Sequence, residues 1–185
     1  MSPGDLIRAR NRLVRTVSKK VCLLGDFAVG KTSLVRRFVY DIFDEKYIST
    51  IGVKVSRKTV AVPMTDGALV ELTMMLWDLA GSEDFSQIRG SYMRGASGAI
   101  LVCDLTRPES LANLEGYLAD LRQVSPQALV IVVANKSDSP EQRLLLDQVH
   151  DGAARLGAKC FVTSARTGEN VEDIFRHLGR TLVEL

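Results

Sequence analysis

An apolar run, Val21-Cys22-Leu23-Leu24, passes through Gly25-Asp26-Phe27-Ala28-Val29-Gly30-Lys31-Thr32 into Ser33-Leu34-Val35-Arg36-Arg37-Phe38-Val39. A buried strand that turns through a Gly-framed loop straight into a helix opens a β-α-β unit. Such units build a parallel sheet with helices on its faces. The G-x-x-x-x-G-K-T spacing adds chemistry to that constraint. Backbone N–H groups from Asp26 to Ser33, among them those of Phe27, Ala28, Val29 and Gly30, are expected to converge on phosphate oxygens, helped by the dipole of the helix that starts there. Lys31 would neutralise charge on the β and γ phosphates, and the Thr32 hydroxyl would ligate Mg²⁺. The strand before, the helix after and the full spacing together predict a bound nucleotide.

Further apolar runs at 99–105, 129–134 and 160–162 have the character of strands buried on both faces, each followed by a helical pattern. Between the first helix and the second such strand, the β-rich stretches 53–62 and 68–79 flank Asp66-Gly67, a hairpin-turn signal. The expected fold is α/β: a doubly wound, mostly parallel six-stranded sheet with one antiparallel edge strand. Three-four spacing puts Leu34, Val35, Phe38 and Val39 on one helix face and Val171, Ile174, Phe175, Leu178 and Leu182 on another, with Asn170 placed to cap the latter. A chain of 185 residues, 46% hydrophobic and 25% charged, suits one soluble domain, and no repeat or linker divides it. No apolar run nears the roughly 20 residues of a membrane span, and the N-terminus lacks a secretory apolar segment, so a cytoplasmic protein is expected. Cys22, Cys103 and Cys160 lie in apolar segments without C-x-x-C spacing and read as reduced core thiols. A net charge of +2 is too small to argue for nucleic acid.

Kinases, ATPases and GTPases share the phosphate loop, so the class rests on the residues that read the base. Asn135-Lys136-Ser137-Asp138 follows a buried strand directly, at the carboxyl end of a parallel sheet, where ligands bind. An Asp carboxylate there can accept hydrogen bonds from N1–H and the 2-amino group of guanine. Adenine has neither donor, and an unpaired buried carboxylate is penalised enough to reject it by ~10⁴ or more. The Lys136 stem can pack on the base plane, and Asn135 can tie its loop to the phosphate loop. In Trp77-Asp78-Leu79-Ala80-Gly81, Asp78 can hold a water on Mg²⁺ and the Gly81 N–H can meet a γ-phosphate. Upstream, Tyr47-Ile48-Ser49-Thr50-Ile51-Gly52 offers Thr50 as a second hydroxyl for Mg²⁺.

Taken together, these residues resemble a Ras-superfamily small GTPase. The Y-x-x-T-I-G-V run, W-D-x-A-G, Tyr92-Met93-Arg94-Gly95-Ala96 and Thr163-Ser164-Ala165 are most similar to the Rab branch, from about Lys19 to the C-terminus. The resemblance implies that Phe43 stacks against guanine and that Ser164-Ala165-Arg166 supports the base through the Ala165 N–H. It implies that Thr50 ligates Mg²⁺ only in the GTP form. Two switches, 45–53 and 80–92, would be ordered by the γ-phosphate and released after its loss. Trp77, Tyr92 and Val55 would present an apolar surface to protein effectors, with Val55 standing where the family usually has an aromatic. An exchange factor, a GTPase-activating protein and a monomeric state belong to the same expectation.

The chain departs from that family at three places. The family's D-x-A-G-Q-E reads Asp78-Leu79-Ala80-Gly81-Ser82-Glu83 here, and Ser82 is too short to orient the attacking water as Gln does. Phe27 occupies a loop position normally held by a small residue. Its ring either crowds the γ-phosphate or turns outward. The sequence ends at Leu185 without the prenylated cysteines of the branch. The arm 1–18, ahead of a G domain at 19–185, carries Arg8, Arg10, Arg12 and Arg15 against Asp5. As a helix it would set Leu6, Ile7, Leu13, Val14 and Val17 apart from most of its arginines, suited to packing on its own domain, to a protein partner or weakly to an anionic membrane. The reading is a GTP/GDP switch with Mg²⁺ that hydrolyses GTP slowly, using Lys31, Thr50 and Gly81, with Ser82 in the Gln position. A pseudo-GTPase holding GTP without turnover and a nucleotide kinase are the rivals.

Overall fold

A computed structural model describes residues 15–44, 49–65, 67–82 and 86–185. In chain order the elements are β1 (Arg15–Leu24), α1 (Lys31–Tyr40), β2 (Val53–Pro63), β3 (Leu69–Leu79), α2 (Ser86–Met93), β4 (Gly98–Asp104), α3 (Pro108–Ala112), α4 (Leu114–Val124), β5 (Leu129–Asn135), α5 (Leu146–Arg155), β6 (Lys159–Val162) and α6 (Val171–Glu184). The strands form one six-stranded sheet in the order β2-β3-β1-β4-β5-β6, every pairing parallel except β2 with β3. The doubly wound sheet and its single antiparallel edge strand are those expected from the sequence.

The apolar runs are continuous because the strands bury both faces. Val21 and Leu23 of β1 meet α1 and α6, while Cys22 and Leu24 meet the side covered by α2, α4 and α5. Phe38 of α1 and Phe175 of α6 stack at 4.1 Å between ring centroids, 9° from parallel, joining the two helices over one face. All three cysteines are free. Burial pushes the thiols of the core residues Cys22 and Cys103 up to about 12 and that of the partly buried Cys160 up to about 11, away from the reactive thiolate.

Two local readings change. β1 extends back to Arg15, pairing Arg15 with Val70 and Val17 with Leu72, so Arg15–Ser18 are strand and belong to the domain, not to a helical arm. Residues 1–14, with Leu6, Ile7, Arg8, Arg10, Arg12, Leu13 and Val14, lie outside the described residues. The hairpin expected at Asp66-Gly67 is present: Pro63 pairs with Leu69, and the Met64 N–H donates to the Ala68 carbonyl at 2.8 Å. Gly67 takes the left-handed φ of 77° there, and Asp66 is outside the described residues. Asn170 stands at the N-cap of α6 but makes no capping bond. With φ of 56° its amide instead donates to the Val162 carbonyl at 2.8 Å, fastening the helix start to the end of β6.

Candidate nucleotide and cation site

The phosphate loop joins the end of β1 to the first turn of α1. Gly30 has φ of 101°, and a Cβ on it would overlap Asn135 Nδ2, so both conformation and space demand glycine. Lys31 is buried and its ammonium donates to the carbonyls of Gly25 at 2.6 Å and Asp26 at 2.7 Å. Burial pulls its pKa down to about 8, against the attraction of Asp78 and Asp26. The Asp26 carboxylate turns outward, accepting from Asn113 Nδ2 at 2.9 Å. The Phe27 carbonyl accepts from the Arg107 guanidinium at 2.6 Å. The Phe27 ring is half-exposed, yet it still lines the pocket rim, a position between the two alternatives open from the sequence.

Under the loop, three oxygen-bearing side chains meet. Thr32 Oγ1 lies 2.7 Å from Thr50 Oγ1, and both hydroxyls donate to Asp78 Oδ2, Thr50 at 3.4 Å. Asp78 Oδ1 is buried without a hydrogen-bond partner. Burial raises the Asp78 carboxyl above its usual range, with the Thr32 hydroxyl and Lys31 pulling the other way. Two hydroxyls and a carboxylate with an unsatisfied oxygen are hard donors of the kind Mg²⁺ takes, so the residues fit that ion. Gly81 packs so closely that a Cβ would overlap the backbone of Gly25, Asp26 and Phe27, placing its peptide on the phosphate loop. The Ala80 N–H donates to the Gly52 carbonyl at 2.9 Å, tying the segment after β3 to the one that carries Thr50. Ser82 is described as partly buried, while Glu45–Ile48 and Glu83–Phe85 are outside the described residues.

The base-reading loops close the other end. Asn135, 1% exposed, donates from Nδ2 to the Val29 carbonyl at 3.0 Å, the tie expected from the sequence. Its Oδ1 accepts from Thr163 Oγ1 at 3.2 Å and from the Ala165 N–H at 3.1 Å. The Ala165 N–H, expected to support the base, thus points to Asn135. Lys136 has φ of 70°, and its ammonium sits 2.6 Å from Asp104 Oδ2. Burial pushes the Asp104 carboxyl up, but Lys136 and the Thr106 N–H and hydroxyl outweigh it and hold it below its ordinary value. Asp138 accepts at Oδ1 from Ser164 Oγ at 2.6 Å, with Arg166 3.9 Å from Oδ2.

These loops enclose a pocket of about 590 Å³ that brings together Phe27, Ala28, Gly30, Lys31, Thr32, Ser33, Phe43, Thr50, Gly81, Asn135, Lys136, Asp138, Ala165 and Arg166. Of the other expected residues, Val29 and Ser164 lie beneath it and hold its walls, and the Asp26 carboxylate turns to Asn113. The sequence reading passed over Arg36, Lys54, Ser139 and Pro140, which also line it, and Asp104, Arg107 and Asn113, which brace its loops. Asp104 carried a usable signal, a carboxylate ending a wholly buried strand at the sheet's ligand-binding edge.

A phosphate loop, an N-K-x-D loop tied to it and a hydroxyl-carboxylate cation site on a doubly wound sheet define a small P-loop GTPase. The chain belongs to the Ras family, whose sequence profile matches residues 20–184. It is 37% identical over 172 residues to the GTP-binding protein ypt5 of Schizosaccharomyces pombe, covering 91% of this chain and 80% of that protein. It is 36% identical to the Ras-related protein Rab-13 of Mesocricetus auratus (89% and 79% covered) and 37% identical to the Ras-related protein Rab-31 of Homo sapiens (90% and 84%). It is a Rab-like small GTPase: a switch that binds GTP and GDP with Mg²⁺ and hydrolyses GTP to GDP.

Proposed function

We propose that this GTPase turns over slowly and signals through two loops, 45–53 and 80–92, that respond to the γ-phosphate. Lys31 would neutralise the β and γ phosphates, and Thr32, Thr50 and Asp78 would hold Mg²⁺, whose charge stabilises the phosphate oxygens. The Gly81 N–H meets the γ-phosphate. Phe43, Lys136 and Asp138 hold guanine, with Asn135, Ser164, Ala165 and Arg166 fixing the loops around it. The observation that carries the reading is the buried, unpartnered Asp78 Oδ1 beside two threonine hydroxyls, a donor set that asks for a cation next to a phosphate loop. Slow turnover follows from Ser82, which cannot orient a water as Gln would, and from the half-exposed Phe27 ring lining the pocket, which would crowd a water or an incoming arginine.

The same two residues favour the second reading, a pseudo-GTPase that holds GTP as an interaction module. Nucleotide released on denaturing purified protein, followed over hours, separates the readings: slow conversion of GTP to GDP supports the first and persistent GTP the second. ATP in place of guanine nucleotide would overturn both. Partners are protein effectors, an exchange factor and a GTPase-activating protein. Effectors would read Trp77, Tyr92 and Val55: the two rings lie 6.5 Å apart, Val55 is half-exposed, and the Lys20 ammonium sits 3.8 Å over the Trp77 ring. We place the protein in the cytoplasm as a monomer, with the basic residues ahead of β1 available to a partner or, weakly, to an anionic membrane. No helix among the described residues is long and apolar enough to cross a bilayer.

A further inference from the structure

Arg37 of α1 is not among the residues that line the nucleotide pocket, and it reaches across to the loop after β6. Its Nε donates to the Ala165 carbonyl at 3.0 Å and one terminal nitrogen donates to the Arg166 carbonyl at 2.5 Å. The other terminal nitrogen meets Asp41 Oδ1 at 3.1 Å, but that carboxylate is 90% exposed, so the ion pair adds little. The fork on two successive carbonyls is the geometry that guanidinium serves better than ammonium.

A trans peptide points its C=O and N–H in opposite directions, so holding a carbonyl also aims the N–H of the next residue. The Thr167 N–H, which shares a peptide with the Arg166 carbonyl, donates to Ser164 Oγ at 3.0 Å. Ser164 Oγ in turn donates to Asp138 Oδ1 at 2.6 Å. A continuous hydrogen-bonded chain therefore runs from Arg37 through the 166–167 peptide and Ser164 to the carboxylate that reads the base.

We propose that Arg37 is a specificity-determining positioning residue: it touches no nucleotide, and it sets the Asp138 carboxylate in the place where it discriminates guanine. The proposal rests on the assignment of Asp138 as the guanine reader. Asp138 meets the 2-amino group, which inosine nucleotides lack, so the ratio of GDP to IDP affinity reports its placement. A change in long-range charge or in overall folding moves both affinities together and cancels in that ratio.

The test is competition binding of GDP, IDP and ADP to the full chain with Mg²⁺ for wild type, Arg37→Ala, Arg37→Lys, Ser164→Ala and the Arg37→Ala, Ser164→Ala pair. Asp41→Asn serves as the control that removes only the exposed ion pair while keeping a residue suited to the left-handed φ of 54° at that position. The expected result is a GDP/IDP ratio lowered about tenfold in Arg37→Ala and in Ser164→Ala, the loss of about 1.4 kcal/mol of discrimination. The double variant should fall no further, because both act on one chain of bonds. Arg37→Lys should recover part of the ratio, and Asp41→Asn should leave it unchanged. An unchanged ratio in Arg37→Ala, with wild type still preferring GDP over IDP, overturns the proposal. A wild type that binds IDP or ADP as well as GDP overturns the guanine-reading assignment itself. Should Arg37→Ala not fold, the ratio in Arg37→Lys decides: a value equal to wild type overturns the proposal and a reduced one supports it.

Discussion

Asn135→Ala tests whether the pocket is built from its far side. The wild-type amide makes a bond to the Val29 carbonyl at 3.0 Å and accepts from Thr163 at 3.2 Å and the Ala165 N–H at 3.1 Å, all in a residue 1% exposed. The Thr163 hydroxyl can rotate about its C–O bond, whereas the Val29 carbonyl and the Ala165 N–H are fixed by their backbones. Each buried backbone group left unpaired costs about 1–3 kcal/mol, so the substitution should destabilise by about 2–6 kcal/mol. That is a large share of the roughly 5–15 kcal/mol available to a domain. Urea unfolding at several fixed GDP concentrations measures it, with the GDP affinity determined separately so that the linkage contribution, about 2.7 kcal/mol at a hundredfold excess over Kd, is removed. Asn113→Ala is the comparison, since its bond to Asp26 is exposed at 2.9 Å and should cost under ~1 kcal/mol. A loss for Asn135→Ala no larger than that for Asn113→Ala would refute the reasoning and show that the loops hold their places without this tie.

Thr50→Ala removes a hydroxyl 2.7 Å from Thr32 Oγ1 and should leave GDP affinity nearly intact while weakening protection of residues 49–53 from proteolysis in the GTP-analogue form; equal protection of both nucleotide forms in wild type would count against the switch. In single-turnover assays Phe27→Gly with Ser82→Gln should accelerate hydrolysis by more than the two changes taken separately, with a coupling of about 0.5–3 kcal/mol, and additive effects would mean that the Phe27 ring does not obstruct the water. Lys31 has its pKa lowered to about 8 from 10.5, so the unfolded chain holds more protons between those values and the residue opposes folding below about 8, a penalty that fades as pH rises towards 10.5. Phosphate reverses the preference by favouring the ammonium. GDP binding near pH 8 should therefore take up protons, measurable by calorimetry in buffers of different ionisation enthalpy, and binding without uptake would contradict the assigned contact.

The sheet, its helical layers and the loops that carry the chemistry were readable because each is written in contiguous residues. The apolar runs of β4 and β5 announce strands buried on both faces, and G-x-x-x-x-G-K-T has its meaning within eight positions. Even the tie from Asn135 to the phosphate loop was anticipated, since two loops at the same edge of a parallel sheet have to meet. Segments whose state depends on a distant partner were misread. The polar beginning of β1, Arg15 to Lys20, has no strand signature of its own and is extended because β3 offers it a parallel edge. Asn170 has the composition of a helix cap, yet its amide serves Val162 because the chain turns there with a left-handed φ. The Ala165 N–H goes to Asn135 rather than outward. Arg37 shows the limit most clearly. In the sequence it is a basic residue in the last turn of a helix, and its partners at Ala165 and Arg166 lie more than a hundred positions away. Periodicity and spacing carry information over a few turns of chain, whereas the aim of a buried hydrogen bond is settled only when the folded sheet brings distant loops within about 3 Å of each other.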